Sequence, residues 1–311
     1  MDNEPTPRIA VIIPCYNEAV AIGTVVAGLR AALPQAAIYV YDNNSGDDTR
    51  SAAAAAGALV RRETMQGKGH VIRRAFADVD ADIYVLIDGD ATYDSEAAPA
   101  MVALLLDQGL DMVCGTRVTD VTEAYRPGHR LGNIVLTGIV RLIFGNRVYD
   151  MLSGYRVFSR RFVKSFPALS GGFETETEFT VHALALHMPV GEIVTTYRER
   201  PAGSVSKLHT FSDGWHILST IVLLVKEARP LAFFGLAGLA MLLTGMLLAI
   251  PVVIQYMATG LVPRLPTAVL STGLVLLSFL SITCGLVLDS VSRGRLEIKR
   301  LAYLAVPGVA R

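Results

Sequence analysis

Short apolar runs and polar turns succeed one another along the first part of this chain in the rhythm of alternating strands and helices. Arg8 to Pro14 is an apolar run, closed by the turn Cys15-Tyr16-Asn17-Glu18, and a helix-like stretch runs from near Ala19 to Leu33-Pro34. Ala37 to Tyr41 reads as a second strand and enters the polar segment Asp42 to Thr49. An alanine-rich helix follows over Ser51 to Ala56, then a strand at Ala58 to Val60, then a helix opened by Gly67-Lys68-Gly69 and running through Phe76. The β-branched and aromatic run Ile83 to Ile87 is a further strand, ended by turn-formers. This alternation predicts an α/β fold with a mostly parallel sheet covered on both faces. Ligands of such sheets bind beyond the carboxyl ends of the strands. Cys15 to Glu18, Asp42 to Asp48 and Asp88 to Asp90 all fall at such ends.

Asp88-Gly89-Asp90 carries the most chemistry. Two carboxylates held at a strand tip offer oxygen to a hard divalent cation, Mg2+ or Mn2+, and such a cation commonly bridges a diphosphate. Taken alone, the same tripeptide also reads as a polar turn with two solvated acids. Its context decides for the site.

That context resembles a known family. Pro14 to Glu18, Asp42-Asn43-Asn44-Ser45, Gly67-Lys68-Gly69 and Asp88-Gly89-Asp90, in this order, resemble a family 2 glycosyltransferase of the A-type, Rossmann-like fold. Ser153-Gly154-Tyr155-Arg156 and the segment Arg200 to Lys207 resemble motifs of the polyprenyl-phosphate sugar synthases, relatives of dolichyl-phosphate mannose synthase. The resemblance covers roughly residues 8 to 230 and implies metal ligation by Asp88 and Asp90. It further implies a nucleotide-binding role for Pro14, Tyr16, Glu18 and Asp42, acceptor-phosphate contacts for Arg117 and Arg130, and a diphosphate-closing loop carrying Arg200 and Lys207. Asn133 stands where relatives have a serine. Asp150, Arg156 and Glu178 match family positions but read equally as structural ion pairs. Turn capping explains Asp42 and Ser45, and the helix dipole explains Glu18, without any ligand. Lys68, between two glycines, either approaches a phosphate or is a solvated helix-start lysine; the P-loop spacing is missing. His182 and His187 sit on an apolar helix-like stretch and are assigned to packing.

Composition adds a membrane. The hydrophobic fraction is 52% and the mean hydropathy +0.43. No charged residue lies between Arg229 and Arg264, nor between Arg264 and Asp289. A bilayer core needs roughly 20 apolar residues in a helix, so Leu231 to Met257 and Ala268 to Leu288 are candidate spans, with Pro251 predicting a kink in the first. Lys226 and Arg229 precede the first span, and Arg293, Arg295, Lys299 and Arg300 follow the second, which places both termini in the cytoplasm. The expected organisation is a catalytic domain over 1–212, a juxtamembrane interfacial helix over 213–230, two transmembrane helices over 231–290 and a cytoplasmic tail over 291–311. Leu131 to Phe144 and Asp213 to Lys226 read either as membrane-surface helices or as core. The three cysteines show no metal-binding spacing and fit a reduced compartment, and the short polar amino terminus is not a signal peptide. The zero net charge gives no reason to expect a nucleic-acid partner. Nothing in the pattern decides whether the chain forms homo-oligomers.

Together these readings predict an inverting hexosyltransferase of the cytoplasmic membrane. It moves one sugar from a nucleotide-sugar donor, taken as UDP-linked, to a polyprenyl phosphate. Two other readings compete. A processive polysaccharide synthase would carry a Gln-x-x-Arg-Trp segment, yet the single tryptophan, Trp215, follows Ser212-Asp213-Gly214. A non-catalytic nucleotide-binding scaffold would have lost the metal acids or the Arg200 to Lys207 loop, and both are intact.

Overall fold

The computed structural model describes residues 6–118, 138, 150–172, 174–198, 226 and 229–309. Arg130, Asn133, Arg200, Lys207 and the two proposed surface helices, apart from Gly138 and Lys226, lie outside these residues.

Seven strands form one mixed sheet in the order β3-β2-β1-β4-β6-β5-β7. They span Ile9–Cys15, Ala37–Asp42, Leu59–Arg62, Ile83–Leu86, Met112–Val118, Arg156–Ser159 and Val190–Thr196 for β1 to β7. The helices are α1 Ile22–Ala32, α2 Thr49–Ala55, α3 Lys68–Asp78, α4 Ala98–Gln108, α5 Arg160–Ser165, α6 Thr175–Ala185, α7 Pro230–Thr259 and α8 Leu265–Leu304. The expected strands and helices appear within a few residues of their sequence bounds. The first helix starts later than its pattern, at Ile22, because the Glu18 carbonyl accepts from the Ala21 and Ile22 amides and makes a separate turn.

Six strands point one way and β6 alone runs against its neighbours β4 and β5. The inversion has a consequence for function. At the end of the sheet where β1, β2 and β4 finish, β6 begins, so the segment Ser153 to Tyr155 enters the same rim as Asp88. The chain leaves β1 in one direction and β4 lies on its other side, which makes the β1/β4 boundary the place where such sheets bind ligands. Ile9, Val11, Ile13, Val25, Val26, Leu29, Val85 and Val113 fill one core against α1 and α4.

On the other face, Phe76, Phe158, Phe162, Phe166 and Phe179 form a ring cluster. His182 belongs to it, packed edge-on against Phe162 and Phe166, with Nε2 at 3.0 Å from Ser165 Oγ. This agrees with the packing role read from sequence. Burial pushes its imidazole down from the ordinary 6.5 to about 3. The unfolded chain therefore takes up a proton near pH 6.5 that the folded chain refuses until about pH 3. The stability this neutral ring allows is complete above pH 6.5 and declines as pH falls below it, by about 2 kcal/mol at pH 5. Thermal unfolding from pH 7.5 to 5 should thus show a steeper loss of Tm in the native chain than in His182→Phe. Equal slopes would rule out this residue as the cause.

The chain divides into two compact units, Met1–Ile217 with Ile298–Arg311, and Leu218–Glu297. In the first, Tyr303 donates to Asp111 Oδ2 at 2.8 Å, and Arg161 both pairs with Asp111 and lies over the Tyr303 ring. Residues from Ile298 on therefore group with the sheet-bearing unit. In the second, α7 and α8 pack as an antiparallel hairpin. A Cβ on Gly238 would meet Ile282 Cγ1 at 2.8 Å and the Ser278 carbonyl at 2.9 Å, and Ser271 Oγ donates to the Gly245 carbonyl at 2.9 Å. Both helices are long and apolar enough to cross a bilayer, and only 11% of each most apolar window is buried. A core helix of a soluble protein would be mostly covered, so these surfaces associate the chain with a membrane. The first helix continues through Pro251, and α8 runs on past the expected span to Leu304.

Candidate active site

The turns at the carboxyl ends of β1 and β2 are tied to each other. Ser45 Oγ accepts from the Asn17 amide at 2.9 Å, and Asn17 Oδ1 accepts from the Gly46 amide at 2.8 Å. Thr49 Oγ1 accepts from the Glu18 amide at 2.8 Å, and Asp47 accepts from Ala19. Asn17 pays with a left-handed backbone, φ 53°, which asparagine tolerates better than most residues. Pro14 pairs with Tyr41 one residue before the end of β1, Tyr16 is 38% exposed at the rim, and Glu18 is buried. Asp42 ends β2 fully buried. Its Oδ1 accepts from the Ser45 amide, and Oδ2 has no hydrogen-bond partner, with Arg50 Nε at 3.7 Å. An orphaned buried carboxylate oxygen costs free energy that a ligand hydroxyl or N–H would recover.

Asn43 fixes the next loop. Its amide donates to the carbonyls of Glu63 and Met65 at 3.0 and 2.7 Å, and its oxygen accepts from the Gly67 amide at 2.7 Å. Gly67 sits at φ 134°, a conformation closed to residues with a side chain, and Gly69 lies directly on the Ser170 carbonyl. Glu178 holds that second backbone by accepting from the Leu169 and Ser170 amides, so its part is structural.

This scaffold delivers Lys68. Its ammonium lies between Asp88 Oδ1 and Glu176 Oε1, at 2.5 Å from each, and the side chain is only 9% exposed. The solvated-lysine alternative is excluded. Burial alone would lower the Lys68 pKa, but Asp88 and Glu176 overcome it and hold the group charged. Burial pushes the Glu176 carboxyl up against the pull of Lys68, and its Oε2 has no partner.

Asp88 and Asp90 share the turn after β4. Asp90 is buried, and its Oδ1 accepts from Thr92 Oγ1 at 2.6 Å and from the Thr92 amide at 3.2 Å. Behind the turn, a Cβ on Gly89 would meet Cys15 Sγ at 2.5 Å. Among the described residues, no group of three or more His, Cys, Asp or Glu side chains is placed to hold a metal by itself. Two hard carboxylates on one turn nonetheless fit Mg2+ or Mn2+, which keep ligand positions for phosphate and water.

Arg117, on β5, makes a two-pronged ion pair with Asp150 at 2.8 and 2.9 Å and lies near the Tyr197 ring. Burial would raise the Asp150 pKa, but the Arg117 contacts hold it below the usual carboxylate range. Arg156 is wholly buried. It donates to the Met151 and Ser153 carbonyls and to Thr180 Oγ1, and so shapes the segment that carries Gly154. The Gly154 amide donates to Tyr93 Oη at 2.8 Å.

The profile described as Glycosyl transferase family 2 matches residues 10–166, which hold the turns after β1, β2 and β4 and Lys68. The chain belongs to this family. A-type family 2 glycosyltransferases were the expectation from the motifs, and fold and family both bear it out. Glycosyltransferase AglJ of Haloferax volcanii is 33% identical over 96% of this chain and 99% of its own length. The dolichyl-phosphate hexose transferase of the same organism is 30% identical over 71% of this chain and 95% of its own. Glucosyl-3-phosphoglycerate synthase of Mycobacterium tuberculosis, solved with Mn2+, UDP-glucose and phosphoglyceric acid, superposes with a TM-score of 0.56 at 24% identity. The match covers 71% of this chain and 80% of that one, a likeness of fold. Within this family 2 glycosyltransferase, the residues the motifs missed are Glu176 and Tyr93. Each acts through contacts distant in sequence.

Proposed function

We propose that this protein is an inverting hexosyltransferase that moves a single sugar from a UDP-linked donor to a polyprenyl phosphate at the cytoplasmic face of a membrane. The observation that carries this reading is the meeting of Lys68 and Asp88, two residues from Asp90, at the sheet rim where β2 also ends on the buried Asp42. Asp42, with the Pro14, Tyr16 and Glu18 turn, takes the nucleoside, and Lys68 faces the diphosphate. Asp88 and Asp90 would hold Mg2+ or Mn2+, which supplies Lewis-acid stabilisation of the charge that develops on the departing diphosphate. The similarity to a dolichyl-phosphate hexose transferase and the uncovered apolar helices support a lipid-phosphate acceptor.

An ionised phosphate monoester attacks the anomeric carbon directly. Its oxygen forms the new C–O bond as the bond to the diphosphate breaks, the nucleoside diphosphate leaves with the electron pair, and an α-linked donor gives a β-linked product. No strong general base is required, so the site's task is cationic positioning. Arg117 is proposed for this on the acceptor side, held in aim by Asp150. Arg130, Arg200 and Lys207 join it on the strength of the motif resemblance.

The test uses purified protein in detergent with Mn2+ and undecaprenyl phosphate, offered radiolabelled UDP-glucose, UDP-GlcNAc, UDP-GalNAc and GDP-mannose in parallel. Label should enter the organic phase with one UDP-sugar. Intact donor binding with no lipid-linked label from any donor would overturn the acceptor class, and transfer from GDP-mannose alone would overturn the nucleotide.

A further inference from the structure

We propose that Glu176 is a positioning residue of this site: its carboxylate draws the Lys68 ammonium partly off Asp88 and so sets the negative charge that Asp88 offers to a divalent cation. The inference rests on the metal-assisted reading above and names a residue that reading does not use.

Three elements converge to make the arrangement. Lys68 opens α3, Glu176 lies in the first turn of α6, and Asp88 follows β4, with the ammonium equidistant from the two carboxylates at 2.5 Å. The loops behind them are held backbone to backbone. Gly69 donates to the Gly171 carbonyl at 3.1 Å, and a Cβ on Gly69 would come to 2.8 Å from Thr175 Oγ1, one residue before Glu176.

Here one ammonium faces two carboxyl groups, and Asp90 stands two residues from Asp88. Glu176 Oε2 is also buried with no partner, a cost that packing alone does not repay. Without Glu176, the whole of the Lys68 charge falls on Asp88 and competes with the cation for the same oxygen. Without Lys68, Asp88 is released to the cation, but the diphosphate loses its partner. The two side chains therefore have opposite effects on metal affinity, which a role in stability alone does not produce.

Binding of Mn2+ to the full-length protein in detergent, followed by the electron paramagnetic resonance signal of free Mn2+ with no donor present, separates these cases. Glu176→Gln should weaken Mn2+ binding about tenfold, the scale seen when a partner of a metal ligand is removed. Lys68→Met should bind Mn2+ at least as tightly as the native chain, and the double variant should return to within about threefold of Lys68→Met. In transfer assays, raised Mn2+ should restore part of the Glu176→Gln activity and none of the Lys68→Met activity. Native affinity in Glu176→Gln, or a double variant no better than Glu176→Gln, would overturn the proposal. If Glu176→Gln alone does not fold, Lys68→Met decides: tighter Mn2+ binding supports the proposal and weaker binding overturns it. Mn2+ binding that is absent from the native chain, or unchanged in Asp90→Ala, defeats the metal-assisted reading itself and the inference with it.

Discussion

Asp90→Ala should abolish sugar transfer, lowering kcat/KM by about a thousandfold or more, equivalent to roughly 4 kcal/mol of transition-state stabilisation. The side chain is buried and has a defined place, its Oδ1 held by the Thr92 amide and hydroxyl, so the carboxylate is aimed before any ligand arrives. Truncation removes the proposed metal ligand and leaves Thr92 Oγ1 without its acceptor. It leaves Asp42 and the cross-tied turns at β1 and β2 untouched. Nucleotide contact should therefore survive in part while chemistry fails, so the loss should fall mainly on kcat. Titration of UDP with the variant, alongside the transfer assay, checks this. Retention of more than about a tenth of native activity would mean that Asp90 is not a metal ligand in the transition state.

The parts of the site that were legible in the sequence share one property: their chemistry and their position are written within a few consecutive residues. Cys15 to Glu18, Asp42 to Asp48 and Asp88 to Asp90 each follow a strand-like run, and the parallel alternation places such turns at one rim. The structure holds them there. What stayed hidden depends on distance along the chain. Glu176 reaches Lys68 across a separation of 108 residues, and Thr175-Glu176-Thr177-Glu178 by itself reads as an acidic first turn favoured by the helix dipole. Glu178, which did match a family position, serves the loop backbone instead. The reversal of β6 was equally silent, because four residues from Arg156 to Ser159 carry no signal of direction. The continuation of α8 into its charged end was hidden by the change from apolar to basic residues, which marks the edge of a membrane span without ending a helix. Arg117 and Asp150 were each singled out, but only the register of β5 and the entry to β6 make them one bidentate pair.

The reversal of β6 also makes Gly154 a point of leverage on Asp88, and Gly154→Ala should cost about a hundredfold in transfer while changing no polar group. The entry to β6 passes so near the metal turn that a Cβ on Gly154 would overlap Asp88 Oδ2 and stand 2.9 Å from its Cγ and 3.0 Å from Oδ1. Backbone relief is blocked from both sides. The Gly154 amide is fixed on Tyr93 Oη, and the preceding carbonyls of Met151 and Ser153 are held by the buried Arg156 guanidinium. The side chain that gives way is Asp88. Its displacement moves a proposed cation ligand and breaks the sharing of Lys68 with Glu176. Mn2+ affinity should fall with activity, whereas UDP binding through the β1 and β2 turns should not. A distortion confined to the β6 edge would instead lower Tm and leave Mn2+ binding intact, and that result would show that contact with Gly154 does not control the position of Asp88.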